Sequence, residues 1–112
     1  MEARINPIIE PIVREFKAAL QALYGERLQE VILYGSYARG DYDDESDINL
    51  MVVLTDEEVN TYREIRQMSG LETNFLLKYG LVISILPTSV NRLKKSFMPI
   101  YDEVRRDGRW LW

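Results

Sequence analysis

Apolar residues near the start of the chain recur at the spacing of one helix face. Ile8, Ile12, Phe16 and Leu20 stand four apart, with Ile9, Val13 and Leu23 beside them, which predicts an amphipathic helix over residues 7–23. Gly25, just after Tyr24, is its natural stop. The pattern then becomes continuous and β-branched. Residues 29–34 read as a strand, and residues 47–54 as a second. Thr55 with Glu58 has the form of a capping box at the start of a long helix. The apolar stripe of that helix runs through Val59, Tyr62, Ile65, Met68, Phe75, Leu76 and Tyr79. Gly70 leaves open a kink or two separate helices, and Gly80 ends the run. Residues 81–86 are apolar almost throughout, which predicts a third strand in a central or near-central place, closed by Pro87. A short helix is expected over residues 89–95. A last helix starts at Pro99 and reaches Asp107, with Gly108 as its end.

Composition narrows the chemistry. The 112 residues have room for one core, and are read as a single domain spanning residues 1–112. No run reaches the roughly 18 apolar residues that a membrane-spanning helix needs. The N-terminus has no basic region followed by an apolar stretch, so the expected location is cytoplasmic. With no cysteine there is neither disulfide nor thiol catalyst. With no histidine there is no Ser-His-Asp triad and little to hold zinc. Carboxylates, hydroxyls, Arg and Lys remain, and metal-assisted phosphoryl chemistry needs no more, because the metal lowers the nucleophile's pKa. The net charge of −4 is uneven. Residues 1–60 hold 13 acids and 5 bases, and residues 61–112 hold 5 acids and 9 bases. The acidic half is poorly suited to duplex nucleic acid, which requires basic side chains to neutralise phosphates, and well suited to collecting divalent cations.

The chemistry is concentrated between the first two strands. Gly35 follows the first strand, where a glycine lets the backbone turn sharply and approach a ligand closely. Ser36 is a good N-cap for a short helix over residues 37–40, and backbone N–H groups at such a start bind phosphate. The Ser36 hydroxyl adds a donor and Arg39 adds charge. After ten intervening residues, Ser36 is followed by Asp47-Ile48-Asn49 at the head of the second strand. Period two puts Asp47 and Asn49 on one face, about 6–7 Å apart, so both reach a shared metal. Hard cations such as Mg²⁺ take oxygen ligands, usually including one or two carboxylates. Taken singly, a Gly-Ser pair is a turn, and the acids Asp41, Asp43, Asp44 and Glu45 are a solvated loop. Their order and spacing carry the phosphate-and-metal reading.

This stretch resembles the signature of the minimal nucleotidyltransferases of the DNA polymerase β-like superfamily: Gly-Ser, ten residues, Asp-x-Asp. Gly35, Ser36 and Asp47 match, Asn49 stands at the second acidic position, and Ala38-Arg39-Gly40 and Ser46-Asp47-Ile48 fit the same wording. The third acidic position of that family falls mid-strand on a neighbouring strand, where Ser84 is the inward polar candidate. The resemblance implies an α/β fold, a small mixed sheet of three or four strands with helices packed on one side. It implies Mg²⁺-dependent transfer of AMP from ATP, with Gly35, Ser36 and Arg39 on the nucleotide, Asp47 and Asn49 on the metal, and Asp47, Asn49 and Ser84 as the catalytic set. Many members are antitoxins beside a HEPN ribonuclease toxin, and the implied acceptor is a tyrosine of that toxin. The alternative is a domain that keeps the shape, and acts by binding its partner, because Asn49 and Ser84 bring no charge. A nucleic-acid polymerase or tRNA-modifying enzyme fits less well, given the small size and acidity.

Two further features stand outside this core. The tail Arg109-Trp110-Leu111-Trp112 either folds onto the domain, the commoner outcome for an apolar end, or meets a partner. Arg92, Lys94, Lys95, Arg105, Arg106 and Arg109 form a basic group that reads either as a solvated surface or as a contact for an acidic partner.

Overall fold

The computed structural model describes residues 5–111. Helix α1 (Glu10–Tyr24) leads through a 3-10 turn (Gly25–Arg27) into strand β1 (Leu28–Tyr34). Then come the four-residue helix α2 (Ser36–Arg39), β2 (Ile48–Leu54), α3 (Thr61–Tyr79), β3 (Ile83–Ser89), α4 (Val90–Lys95), α5 (Pro99–Asp107) and a short β4 (Arg109–Trp110). The strands lie in the order β3-β2-β1-β4. β1 runs antiparallel to β2 and β4, and β2 runs parallel to β3 through the α3 crossover. The class is the expected one, α/β with a four-stranded mixed sheet.

Helix α1 begins three residues later than its pattern, because Asn6 first builds a turn. Its Oδ1 accepts from the Ile8 N–H (2.8 Å), and its carbonyl accepts from Ile9 and Glu10 (3.2 and 2.9 Å). Val13, Phe16, Leu20 and Tyr24 then face the core, while Ile8 is left exposed. Phe16 meets Phe75 of α3 edge to face, with centroids 4.9 Å apart, an arrangement worth about 0.5–1.5 kcal/mol beyond its burial.

The expectation that helices pack on one side of the sheet needs correction. Val31, Leu33, Leu50, Val52 and Leu54 face α1 and α3, while Ile32, Tyr34, Met51 and Val53 pack with Leu93 of α4 and Tyr101 and Val104 of α5. Residues 31–34 and 50–54 are buried without alternation, so both faces of the central strands need cover.

The Thr55–Glu58 capping box does not form. The Thr55 N–H donates to the Arg27 carbonyl (2.8 Å) and so prolongs the strand pairing. Asp56 is drawn onto Arg27 (3.0 and 3.2 Å). Helix α3 starts at Thr61, and Asn60 Oδ1 accepts from the Arg63 N–H (3.1 Å) as its cap. The helix passes through Gly70 unbroken and stops at Gly80, whose φ of 69° is left-handed. Its inward line is Glu64, Met68 and Phe75, while Tyr62, Ile65 and Leu76, assigned to the stripe, are exposed. Glu64 is fully buried and accepts from Tyr24 Oη (3.0 Å), Arg27 Nη2 (2.9 Å) and Arg63 Nη2 (3.3 Å). Burial pushes its carboxyl up. The bonds from Arg27 and Tyr24 and the arginine charges outweigh that and hold it below its ordinary value.

β3 is an edge strand, not a central one, and it extends through Pro87 to Ser89. Its faces are covered, which explains its apolar sequence, but its outer edge is open and tolerates a proline. The tail folds back. β4 pairs Trp110 with Ile32 and Arg109 with Leu33, and Leu111 is buried with its N–H on the Val31 carbonyl (2.9 Å). Trp112 lies outside the described residues.

Candidate nucleotide site

The site forms where β1, β2 and β3 meet α2. β1 delivers Tyr34, and the chain turns at Gly35 with φ 81° and ψ −154°, a region open essentially to glycine. Gly35, not Ser36, holds the cap position of α2, and no side chain caps it; Ser36 is the first helical residue. The expected side-chain cap fails because the Gly35 carbonyl itself accepts from Ala38 and Arg39 (both 3.0 Å), closing the first turn one residue early. The earliest N–H groups of such a turn have no partner within it.

The acidic loop is more than solvated surface. Asp43 Oδ1 accepts from the Glu45 N–H (2.9 Å) and from Ser46 Oγ (3.2 Å), and the Asp43 N–H donates to Ser46 Oγ (2.9 Å). This knot delivers Asp47 to the start of β2, where the Ile48 N–H donates to the Val82 carbonyl (2.9 Å). Ser84 Oγ then donates to Asp47 Oδ2 (3.3 Å). Asn49 sits opposite Tyr34 on β1 and Ser84 on β3. Its amide packs against Gly35 so closely that a Cβ on Gly35 would lie 2.6 Å from Asn49 Nδ2.

Four of the residues named from sequence, Gly35, Asp47, Asn49 and Ser84, therefore meet at one end of the sheet, with Ser36 next to them. Arg39 is committed elsewhere. Its Nε lies 3.2 Å from Asp41 and its Nη1 2.7 Å from Glu103 of α5. Sequence reasoning missed Glu103, which is 64 positions from Arg39 and carries no local signal. It also bears on Tyr34, whose phenol is raised first by burial and then by the Glu103 charge.

Among the described residues no group of three or more His, Cys, Asp or Glu side chains is placed to hold a metal. The site offers one carboxylate (Asp47), one hydroxyl (Ser84) and one amide (Asn49). That set fits a single Mg²⁺, which keeps waters and substrate phosphates and takes one or two protein carboxylates. It does not fit a metal pair, because Asp47 is the one negative charge in it.

A strand-end Gly-Ser turn facing a strand-borne carboxylate, on a mixed α/β sheet, defines a nucleotidyltransferase-like domain. A family model described as a nucleotidyltransferase domain matches residues 13–106. The chain belongs to that family. Two Methanocaldococcus jannaschii proteins, provisionally named protein adenylyltransferases MJ0141 and MJ0604, are similar to it. MJ0141 is 38% identical over 101 residues, 90% of this chain and 95% of that protein. MJ0604 is 36% identical over 104 residues, 92% of this chain and 97% of that protein. Among solved structures, a toxin-antitoxin crystallised with AMP-PNP shares the fold with a TM-score of 0.60 at 20% identity, over 88% of this chain and 71% of that one. Nucleotidyltransferases generally use a divalent metal with a nucleoside triphosphate.

Proposed function

We propose that this domain is an antitoxin that transfers AMP from ATP to a tyrosine of a HEPN ribonuclease toxin. The observation that carries this reading is the Gly35–Ser36 turn set beside the Asp47–Ser84 pair. The adenylyltransferase names of the relatives and the toxin-antitoxin fold neighbour support it. Gly35 and Ser36 hold the outer phosphates with backbone donors and the hydroxyl. Asp47, whose carboxylate accepts from Ser84, would hold one Mg²⁺, and Asn49 would add a neutral oxygen or a donor beside it. When bound, the ion neutralises phosphate charge and eases departure of pyrophosphate. The acceptor phenol oxygen forms a bond to the α-phosphorus, the α–β bridging bond breaks, and the phenolic proton passes to water.

A second reading rests on a specific observation. With Asp47 the one carboxylate in the site, transition-state charge is poorly stabilised, and losing such stabilisation costs about 10²–10³ in rate. On this reading the domain blocks its partner mainly by contact. One experiment separates the two: co-express the chain with its toxin, weigh the toxin intact, and run the pair on gel filtration. A toxin heavier by AMP units, and unmodified with Asp47→Asn, is the expected result. A stable complex with unmodified toxin supports contact instead. Neither modification nor complex overturns both readings.

A further inference from the structure

On the β4 side of α2 lies a cleft of about 500 Å³ that includes none of Asp47, Asn49 and Ser84. Arg109 and Tyr37 line it, with Tyr42, Asn6 and Arg39 around them and the exposed Ile8 at its lip. Its volume is that of an ordinary small-molecule site. We propose that this cleft is a second ligand site, which takes a nucleoside monophosphate without metal, and AMP is the probe that tests it.

The charge argument rests on Arg109. It is half-buried, its Nε is buried without an acceptor, and it has no ion-pair partner among the described residues. The other half-buried arginines do have carboxylates: Arg14 lies on Glu10, and Arg27 on Asp56 and Glu64. In a chain with 18 acids and 14 bases, a sheltered guanidinium without a carboxylate among the described residues, set beside a cleft, is suited to receive an anion. Its backbone is fixed, because Arg109 pairs with Leu33 of β1. Arg39 also reaches the cleft, but Asp41 and Glu103 already neutralise it, so the anion goes to Arg109. One guanidinium, with no metal-binding carboxylate beside it, suits a monophosphate better than a triphosphate.

The aromatic argument rests on Tyr37 and Tyr42. Their rings stack 4.5 Å apart at 11°, and Asn6 Nδ2 donates to Tyr42 Oη at 2.5 Å. The pair is thus held as a flat wall, and a flat aromatic wall accepts the face of a nucleobase. Asn6 and Tyr42 lie 36 positions apart, so this bond ties the residues before α1 to the loop after α2 and gives the wall its rigidity.

The test uses the full chain and AMP in EDTA, by calorimetry. The expected result is AMP binding that weakens at least tenfold in Arg109→Gln and in Tyr42→Ala, and that Ser36→Ala and Asp47→Asn leave unchanged. Inorganic phosphate alone should bind far more weakly than AMP. If Arg109→Gln does not fold by circular dichroism, Tyr42→Ala carries the test. Any of four results overturns the proposal: no AMP binding at millimolar concentration; binding lost in Ser36→Ala or Asp47→Asn, which puts AMP in the Gly35 site; equal binding by the cleft variants; or an acidic peptide that binds there when AMP does not. Loss of ATP binding alone would count against the Gly35 site and leave this one standing.

Discussion

Gly35 is where the backbone of the site is under most constraint, and Gly35→Ala tests it. The substitution meets two penalties. At φ 81° and ψ −154°, an alanine sits in a region that costs about 1–3 kcal/mol. Its Cβ would also lie 2.6 Å from Asn49 Nδ2 and 3.5 Å from Asn49 Cγ, so the amide must move off its strand position. Overpacking of that kind costs about 1–3 kcal/mol. The expected total is about 2–6 kcal/mol, which for a chain of this size lowers Tm by roughly 10–30 °C. The two parts can be separated. Asn49→Ala removes the clashing atoms and keeps the strain, and its own Cβ is 3.7 Å from the Gly35 position, an ordinary contact. In a double-mutant cycle followed by urea unfolding, the double variant should therefore be more stable than the sum of the single changes by about 1–2 kcal/mol. Additivity within about 0.5 kcal/mol would refute the packing of Asn49 on Gly35, and with it this geometry of the site. A Gly35→Ala chain too unstable to study alone would still be read in the double variant, where Asn49→Ala should restore folding.

Two other outcomes follow from the same site and its surroundings. Asn49→Asp places a second carboxylate beside Asp47, so Mn²⁺ binding followed by water-proton relaxation should tighten roughly tenfold, about 1.4 kcal/mol; no gain would mean that residue 49 does not face the metal. Glu64→Gln should cost about 1–2 kcal/mol at neutral pH, because it removes a fully buried carboxylate that accepts from Tyr24, Arg27 and Arg63, while the half-buried Arg27 keeps Asp56 as a partner. The folded Glu64 carboxyl is held below its ordinary value, so its stabilisation is complete above the unfolded pKa of about 4.3 and is lost as pH falls through the lower folded value. Urea unfolding from pH 7 to pH 3 should show this acid limb in the unaltered chain and a flatter one in Glu64→Gln; parallel limbs would remove Glu64 as its source.

What was legible in the sequence was the part of the site set by neighbours in the chain. The Gly35 turn, the short helix and the strand that opens after Asp47 all follow from residues 35–49, and local backbone chemistry decides them. The contacts that were missed all depend on where a distant element comes to rest. Thr55 and Glu58 have the right spacing for a capping box, but the Arg27 carbonyl and guanidinium take Thr55 and Asp56 first. Glu64 stands on the inward line of α3 because Tyr24 and Arg27, on elements some 40 positions away, give its charge partners. β3 looked central because both of its faces are covered, and composition does not record whether an edge is paired. The meeting of Ser84 with Asp47 lies between these cases, and geometry explains it. β2 has seven residues, a rise of about 23 Å. α3 has 19 residues, a length of about 28 Å. The crossover helix is thus long enough to carry the chain back past the start of β2. The parallel register then sets Ile83 beside Ile48 and Ser84 beside Asn49, two residues from the carboxylate of Asp47. A helix shorter by two turns would bring β3 in further along β2 and leave Asp47 without its hydroxyl partner, so the length of α3, remote from any motif, determines which side chain completes the site.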